Sequence, residues 1–244
     1  MQRRSLKELI NTEDPGWPLV QEWIAAARNQ VEVLDVDRAR GEEVLLHLQV
    51  TTRSPMGAIA LETGGILIDH GWLRFLGSGH QRMRGDLQSW NSNGDLLKGH
   101  MLKGGLVIAH DAVGGFFALN GGAFPGKAGM AFYFAPDTLR WETTNKSYSE
   151  LLAWALSGDL QRFYGNMRWP GWENDLASLT GDQGMSISPV LFAREGGPVA
   201  ERSRRPVPMD ELWRLHLDLA HQLGDLPAGT AFSIRLLDQP LENE

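Results

Sequence analysis

The chain has 244 residues and no cysteine, and 30 acidic residues against 23 basic ones give a net charge of -7. The absence of cysteine excludes disulfides, thiolate nucleophiles and cysteine-ligated zinc. The negative charge disfavours nucleic acid as a partner, because phosphates bind clustered Lys and Arg.

The sequence predicts neither a membrane span nor a signal peptide. No apolar run approaches the roughly 20 residues that a spanning helix needs. The N-terminal MQRRSLKEL is soon followed by Glu13 and Asp14, where a signal peptide would place an apolar segment. We therefore expect a cytoplasmic protein with no membrane contact.

The first part of the chain predicts short helices and an edge strand. A helix is expected from Pro18 to Asn29, where apolar residues recur every three to four positions. Val31 to Leu34 follows as a short edge strand, and residues 37–49 favour a helix over a strand. Ser54-Pro55 is a typical helix start, and Gly64-Gly65 is a typical stop.

The middle of the chain predicts strands of one sheet. ILID and GWLRFLG have strand character, and Asn93-Gly94 predicts a hairpin because both residues tolerate the positive φ of a type I′ turn. From Leu106 to Trp141, apolar segments alternate with glycine turns as LVIAHD, FFALN, MAFYFA and LRWE. The bulky face of this sheet needs a cover, which the flanking helices would provide.

The last part of the chain predicts more helices and two strands. The helices are expected at Ser147 or Ser149 to Leu156, 159–167, 173–179 and 210–223. The strands are expected at 186–193 and 231–237, followed by an acidic, frayed tail. Residues 194–208, rich in Gly, Pro and Arg, are expected to form a mobile loop.

These elements predict an α+β fold with a central, mostly antiparallel sheet packed by helices and a C-terminal helix-strand extension. The length suits one large domain, taking roughly 150 residues per domain as a guide. We assign residues 1–193 to an α+β domain and residues 194–208 to the mobile loop. Residues 209–244 would form a helix and strand packed on the same domain.

Three short motifs are interpreted as structural. Residues 121–128, GGAFPGKA, have the spacing of a phosphate-binding loop, but Ala128 stands where a Ser or Thr would bind magnesium, and a strand follows. Ser78 lies between glycines without the nucleophile-elbow pattern, which favours a tight turn. Arg202, Arg204 and Arg205 are too few for a basic patch and favour a solvated loop.

Two pairs of His and Asp are the candidates for chemistry. Asp69-His70 and His110-Asp111 each end an apolar strand, and four such groups meeting in space would bind a metal or share a proton. The alternative, which is commoner at such places, is that each pair binds the amides of a turn. We predict no catalytic residue, no metal site and no cofactor.

The candidate partner-binding residues are Asp111, Trp90, Trp169 and Trp172. Trp169 and Trp172 flank a proline-glycine joint, and tryptophan is enriched at the centres of binding interfaces. A place in the core is the equal alternative for both.

Part of the chain resembles the SUKH superfamily of fungal cell-wall regulators and bacterial immunity proteins. The similarity lies in an acidic residue followed by paired glycines, alternating apolar strands, a tryptophan and a serine-capped helix. The residues that carry it are Asp111, Gly114, Gly115, Phe117, Leu119, Tyr133, Trp141, Ser147, Leu151 and Leu152. The preceding helix that ends at Gly64-Gly65 also fits, and GWLRFLGSG and GGFFALNGGAFPGK resemble an uncharacterised bacterial family of this superfamily.

The resemblance implies an α+β fold without a cofactor and, in bacteria, a role in binding and neutralising a protein toxin. The loop at 121–129 and the chain after about Gly165 exceed the compact domain of that superfamily, so its toxin-binding surface is not carried over. We therefore expect a non-enzymatic protein-binding domain. The alternatives are a small-molecule binder or hydrolase with a pocket near Asp69, His70, His110 and Asp111, and a structural subunit of a homo-oligomer.

Overall fold

The computed structural model describes residues 3–94, 96–97, 99–193 and 196–224. The helices are α1 (Leu6–Leu9), α2 (Trp17–Ala25), α3 (Arg38–Leu48), α4 (Pro55–Glu62), α5 (Tyr148–Ser157), α6 (Leu160–Tyr164), α7 (Trp172–Ala177) and α8 (Met209–Gly224). The strands are β1 (Val31–Leu34), β2 (Gly65–Ile68), β3 (Leu73–Leu76), β4 (Gly105–Asp111), β5 (Phe116–Asn120), β6 (Met130–Ala135), β7 (Arg140–Ser147), β8 (Gln183–Ser188) and β9 (Ser203–Pro208). The strand predicted at 231–237 and the tail lie outside the described residues.

The centre of the fold is a large antiparallel sheet. Within the described ranges it contains seven strands, β1 to β7, and each pairs with the next along the chain. The predicted α+β class with a mostly antiparallel sheet is confirmed, and β1 lies at one edge as expected. β7 is the last strand at the opposite edge.

The strand register divides the side chains between two faces of the large sheet. The front face carries, in neighbouring positions, Arg74, His110, Phe116 and Phe134. The back face carries Phe75, Ala109, Phe117 and Tyr133. All eight residues are buried, so both faces of the sheet are covered.

Helices α5 and α6 cover the back face. The ring of Tyr148 in α5 meets Phe75 at 6.0 Å between centroids, and Phe163 in α6 meets Tyr133 at 5.2 Å. Helix α5 begins where the sequence predicted, because the Ser147 hydroxyl accepts a hydrogen bond from the Glu150 amide in a capping box. Helix α4, likewise capped by a serine, packs against α2, α3 and α5.

Helix α8 and the segment before β4 cover the front face. The indole of Trp213 packs on Phe116 at 4.6 Å between centroids, and Trp90 packs on the same ring at 5.3 Å. Trp213 Nε1 also donates to the carbonyl oxygen of His100 at 2.9 Å. The helix predicted at 210–223 therefore exists as α8 and is held on the sheet by aromatic packing and a hydrogen bond.

The hairpin predicted at Asn93-Gly94 is wrong. No strand flanks this dipeptide in the described residues, and a 3-10 turn occupies Ser89–Asn91. Leu87 and Leu97, whose apolar character suggested strands, are fully buried from irregular backbone. The apolar residues here serve to fill the core in front of the sheet, which local spacing does not distinguish from a strand.

The prediction of a loop throughout 194–208 is also wrong. Ser203–Pro208 forms β9, which pairs antiparallel with β8, and β8 itself begins and ends earlier than the strand predicted at 186–193. Arg202 is buried, and its guanidinium donates to the carbonyl oxygens of Pro189, Val190, Ala193 and Gly197. The pairing of β9 with β8 and the hydrogen bonds of the buried Arg202 thus order part of a segment whose composition is typical of loops.

The buried imidazole of His216 should make stability fall at acid pH. Its Nδ1 lies 3.0 Å from the carbonyl oxygen of Gly114, and burial lowers its pKa from 6.5 to about 4. Because the folded pKa is depressed, the neutral ring stabilises the fold above pH 6.5, and this contribution is lost as the pH falls towards 4. Between pH 7 and pH 5 we expect this residue to remove about 2 kcal/mol from the free energy of unfolding.

Urea denaturation at both pH values tests this expectation. His216→Gln should lose that part of the pH dependence, whereas His221→Gln, on the exposed side of the same helix, should retain it. An unchanged pH dependence in His216→Gln would contradict the assignment.

Candidate functional site

Asp69 and His70 form the turn between β2 and β3. Both have left-handed backbone conformations, with φ of 54° and 56°. The Trp72 amide donates to the carbonyl oxygen of Asp69 at 2.9 Å, so His70 and Gly71, whose φ is also positive, are the two central residues of the turn. The Asp69 carboxylate pairs with Arg168 at 2.5 Å. The His70 side chain is exposed and lies edge-on to Trp172, with 6.0 Å between ring centroids.

His110 and Asp111 end strand β4 and point to opposite faces of the large sheet. Consecutive strand residues alternate between faces, and the contacts agree: His110 packs against Phe116 on the front, whereas Asp111 binds Tyr133 on the back. The sheet itself therefore separates these two side chains.

The Asp111 carboxylate is completely buried and holds the turn between β4 and β5. Its Oδ1 accepts hydrogen bonds from the amides of Val113 at 3.0 Å and Gly115 at 2.8 Å. Its Oδ2 accepts one from the Tyr133 hydroxyl at 2.7 Å. Burial raises the pKa of Asp111, while these hydrogen bonds act in the opposite direction.

Steric contacts explain why glycine occupies two consecutive positions of this turn. A Cβ atom at Gly115 would collide with the Asp111 carboxylate and the Tyr133 hydroxyl. Gly114 has φ of +83°, and a Cβ there would meet the His216 ring. Asp111, Gly114, Gly115 and Tyr133, which are among the residues that carry the resemblance to the SUKH superfamily, thus have a structural role in this chain.

The front-face residue His110 is a core side chain. It is 1% exposed, and its ring lies 5.7 Å from Trp90 and 5.8 Å from Phe116 between centroids. Burial, aided by the charge of Arg74, lowers its pKa well below 6.5, so the imidazole is neutral at neutral pH. Trp90 is itself 2% exposed.

An aromatic cage surrounds Arg168 on the back side of the fold. Its guanidinium lies over Trp72 at 4.7 Å and over Trp172 at 4.2 Å, in addition to its ion pair with Asp69. The hydroxyl of the neighbouring Tyr164 has a pKa well above 10, first because it is buried and then because the Asp111 charge is close. This cation-π contact with Arg168 stabilises the buried position of Trp172.

The four ionisable residues considered for a pocket do not converge on one cleft. Asp69 and Asp111 are both near enough to Tyr164 that their charges raise the pKa of its hydroxyl. His70 faces outward and His110 lies across the sheet. Of the four side chains only Asp111 binds the amides of a turn, as the commoner alternative predicts, and the four do not form a shared pocket.

The candidate partner-binding residues are buried too. Asp111 is 0% exposed, Trp90 and Trp169 are 2% exposed, and Trp172 is 8% exposed. Trp169 Nε1 donates to the Asp175 carboxylate at 2.6 Å, which satisfies its polar edge internally. In this conformation these side chains belong to the core, so their prediction as contact residues is corrected.

A cleft with an aromatic floor lies between the back face and helices α5 and α6. We call it the aromatic cleft, and its volume is about 210 Å³. It is lined by Phe117, Tyr133, Glu142, Thr143, Thr144, Lys146, Leu151, Trp154 and Phe163. Phe163 contacts Trp154 at 5.0 Å and Tyr133 at 5.2 Å between centroids, and it is 37% exposed.

Strand β7 forms the rim of the aromatic cleft. In the described ranges it pairs only with β6, and the register shifts at a bulge near Ala131 and Phe132. The Thr144 hydroxyl donates to the carbonyl oxygen of Ala131 at 2.7 Å and fixes this bulge. Glu142 and Lys146 place opposite charges along the rim.

Sequence patterns do not indicate this cleft. Alternating apolar residues predict strands at Phe117 and Tyr133, but the face that the two share depends on the pairing of β5 with β6. Trp154 and Phe163 belong to different helices, so helical periodicity does not join them. A large aromatic residue left 37% exposed at Phe163 becomes visible only in three dimensions.

Comparison with known proteins places the chain among bacterial relatives. A family model described as a protein of unknown function, DUF2625, matches residues 6–212. The chain belongs to the DUF2625 family. An uncharacterised protein of Escherichia coli K12, YbfG, is 42% identical over 216 residues, which cover 88% of this chain and 97% of YbfG. An uncharacterised protein of Haemophilus influenzae Rd is 37% identical over 204 residues, covering 84% of this chain and 90% of that protein.

The match to DUF2625 includes the Asp111 turn and the whole aromatic cleft. Neither the family description nor the names of these relatives state a function, so the resemblance to the SUKH superfamily stays a hypothesis. In the part of the chain that the structure describes, no group of three His, Asp or Glu side chains is placed to hold a metal ion. No helix in those same ranges is long and apolar enough to cross a membrane.

Replacing Asp111 should destabilise this DUF2625 protein strongly. Asp111→Ala leaves the Val113 amide, the Gly115 amide and the Tyr133 hydroxyl buried without their acceptor. We expect a loss of about 3 kcal/mol in the free energy of unfolding, against about 1 kcal/mol for Tyr133→Phe.

Chemical denaturation measures both losses. Asp14→Ala is the control, because its ion pair with Arg53 is exposed on both sides, and it should change stability by less than about 0.5 kcal/mol. Equal stability of Asp111→Ala and Asp14→Ala would show that the Asp111 turn does not carry the stability assigned to it.

Proposed function

We propose that this protein binds a partner protein at the aromatic cleft and the adjoining edge strand β7. The observation that carries the proposal is a group of packed aromatic side chains, one of them 37% exposed at Phe163, next to the last described strand of the sheet. Protein interfaces concentrate binding energy where an aromatic or apolar anchor enters a pocket.

The size of the cleft favours an inserted side chain. Pockets for drug-sized ligands typically measure about 300–1,000 Å³, and the aromatic cleft measures about 210 Å³. Its floor of aromatic carbon atoms suits an apolar or aromatic side chain. The partner would therefore present a single anchor residue to Phe163 and Trp154.

The strand beside the cleft offers the second element of recognition. An exposed sheet edge presents backbone amides and carbonyls, to which an extended segment of another protein adds as a further strand. Every residue of β7 is exposed or half-buried. Glu142 and Lys146 would then fix the orientation of that segment through charge complementarity.

A narrower proposal follows from the resemblance to the SUKH superfamily. In bacteria, that superfamily suggests a partner that is a toxin, and this chain would be an immunity protein acting in the cytoplasm without a cofactor. Support comes from the shared α+β class and from the Asp111, Gly114 and Gly115 turn. The net charge of -7 also suits a basic partner.

Site-specific photo-crosslinking in living cells tests the proposed surface. A photoreactive amino acid at Phe163 and, separately, at Thr143 on β7 should capture the same partner. The same amino acid at Leu215 of α8 or at Leu46 of α3, which are 40% and 38% exposed, should not capture it.

The purified partner then permits a binding measurement. Phe163→Asp should weaken its affinity about tenfold or more, since hot-spot residues contribute over about 1 kcal/mol, whereas Leu215→Asp should leave it unchanged. Capture at all four positions alike, or equal affinity of both variants, would contradict the proposal. For the immunity proposal, expression of the chain should protect cells from the captured protein, and Phe163→Asp should not.

A further inference from the structure

A second cleft lies over the front face at the opposite end of the large sheet. We call it the arginine cleft, and its volume is about 260 Å³. Its lining includes the side chains of Glu32, Arg74, Arg82, Glu173 and Ala177. Its floor is formed by β1 to β3, where Glu32, Leu67 and Arg74 stand in neighbouring register, and its wall by α7 and the residues after it.

Arg74 is the floor of this cleft and is 2% exposed. Its Nε donates to the carbonyl oxygen of Gly71 at 2.7 Å, and its Nη1 donates to the carbonyl oxygens of Gly181 at 3.0 Å and of Gln183. Nη2 forms no hydrogen bond with any described residue. It is also not one of the polar side-chain atoms that are fully buried without a hydrogen-bond partner. Nη2 is therefore the terminal nitrogen of Arg74 that is left to bind a ligand in the cleft, which this residue lines.

The charge of Arg74 lacks a directly bound counter-ion. No carboxylate of the described residues lies within ion-pairing distance of it. Burial lowers its pKa to about 10, opposed by the charges of Asp111 and Asp182, so the guanidinium is positive at neutral pH. The Asp182 carboxylate itself accepts hydrogen bonds from the backbone amides of Arg84 and Gly85. A buried charge held only by backbone carbonyls is costly unless an anion joins it.

The rim of the arginine cleft carries a free negative charge. Arg82 is neutralised there by Glu32, whose two carboxylate oxygens bind its two terminal nitrogens. Glu173 in α7 is exposed and forms no ion pair with any described residue. His70 also borders the cleft, with its backbone amide bound to the Gln30 side chain. The cleft thus offers one cation at the floor and one anion at the mouth.

We propose that the arginine cleft binds a small amino-carboxylate, that is, a free amino acid or a compound of the same zwitterionic chemistry. Its carboxylate accepts hydrogen bonds from Nη2 of Arg74, and its ammonium group faces Glu173. A lone anion would gain from Arg74 but would be repelled by Glu173, whereas a zwitterion satisfies both. The volume of about 260 Å³ lies just below the usual range for drug-sized ligands and suits a molecule of this size.

This site is separate from the proposed protein-binding surface. The arginine cleft lies on the front face beside β1 to β3, and the aromatic cleft lies on the back face beside β6 and β7. Failure of one proposal leaves the other standing.

Ligand binding to the full chain is the test. Each of the twenty amino acids is added in a thermal-shift screen, and calorimetry follows for those that raise the melting temperature, since a ligand that binds only the folded state stabilises it. Propionate and ethylamine serve as probes that each carry a single charge of alanine. At least one amino acid should bind, and should bind more tightly than either single-charge probe.

Three variants locate the site. Ala177→Phe, at an exposed residue of the cleft wall, should fill the cleft and abolish binding without disturbing Arg74. Arg74→Lys should weaken binding about tenfold by removing the guanidinium donors. Glu173→Gln should weaken it about twofold to fivefold, as an exposed ion pair predicts, while Glu13→Gln on the exposed N-terminal segment should not.

Three results would overturn the proposal. They are a lack of response to all twenty amino acids, binding that survives Ala177→Phe, and an affinity of the tightest-binding amino acid no higher than that of propionate or ethylamine. Because Arg74 is buried and Arg74→Lys is at risk of misfolding, Ala177→Phe and Glu173→Gln decide the outcome if that variant does not fold.

Discussion

The fold depends on one buried carboxylate, that of Asp111. It accepts hydrogen bonds from two backbone amides of the β4–β5 turn and from the Tyr133 hydroxyl of β6. It therefore joins three neighbouring strands at a single point. The same turn presents the Gly114 carbonyl oxygen to His216 of α8. The covering helix, the turn and the sheet are therefore connected through a carboxylate that has no contact with solvent. A sequence motif would suggest a functional role for Asp111, but the fold itself requires this residue.

Burial of both sheet faces decides where recognition can occur. An antiparallel meander has two faces to cover, and here α5 and α6 cover the back while α8 covers the front. The groups that remain available lie at the margins of the sheet, where helices stop short of the outer strands. The aromatic cleft occupies the β7 margin, and the arginine cleft occupies the margin of β1 to β3.

Local signals in the sequence predicted local structure well, and non-local packing accounts for the errors. Ser54 and Ser147 cap their helices through contacts within four residues, which any reader of the sequence can anticipate. At Asn93-Gly94 the turn chemistry is present, but Leu87 and Leu97 fill the core from irregular backbone instead of pairing. β9 was missed because its pairing with β8 is non-local and its prolines are typical of loops; a two-stranded edge tolerates them. The prediction of the contact residues was wrong for the same reason. Whether Phe163 is exposed and whether Trp169 is buried both depend on the whole fold.

Shifted pKa values do not by themselves mark a reactive centre in this protein. Ionisable groups with perturbed pKa values often cluster at active sites, but structural networks perturb them as well. For His110, Asp111, Tyr133 and Tyr164 the first cause is burial, and the sheet keeps His110 apart from the other three. Arg74 differs because its charge is buried, lacks a directly bound carboxylate among the described residues and still reaches a cleft. The charges of Asp111 and Asp182 act on it from a distance, and the carboxylate of a ligand would supply the directly bound counter-charge that the carbonyl oxygens do not.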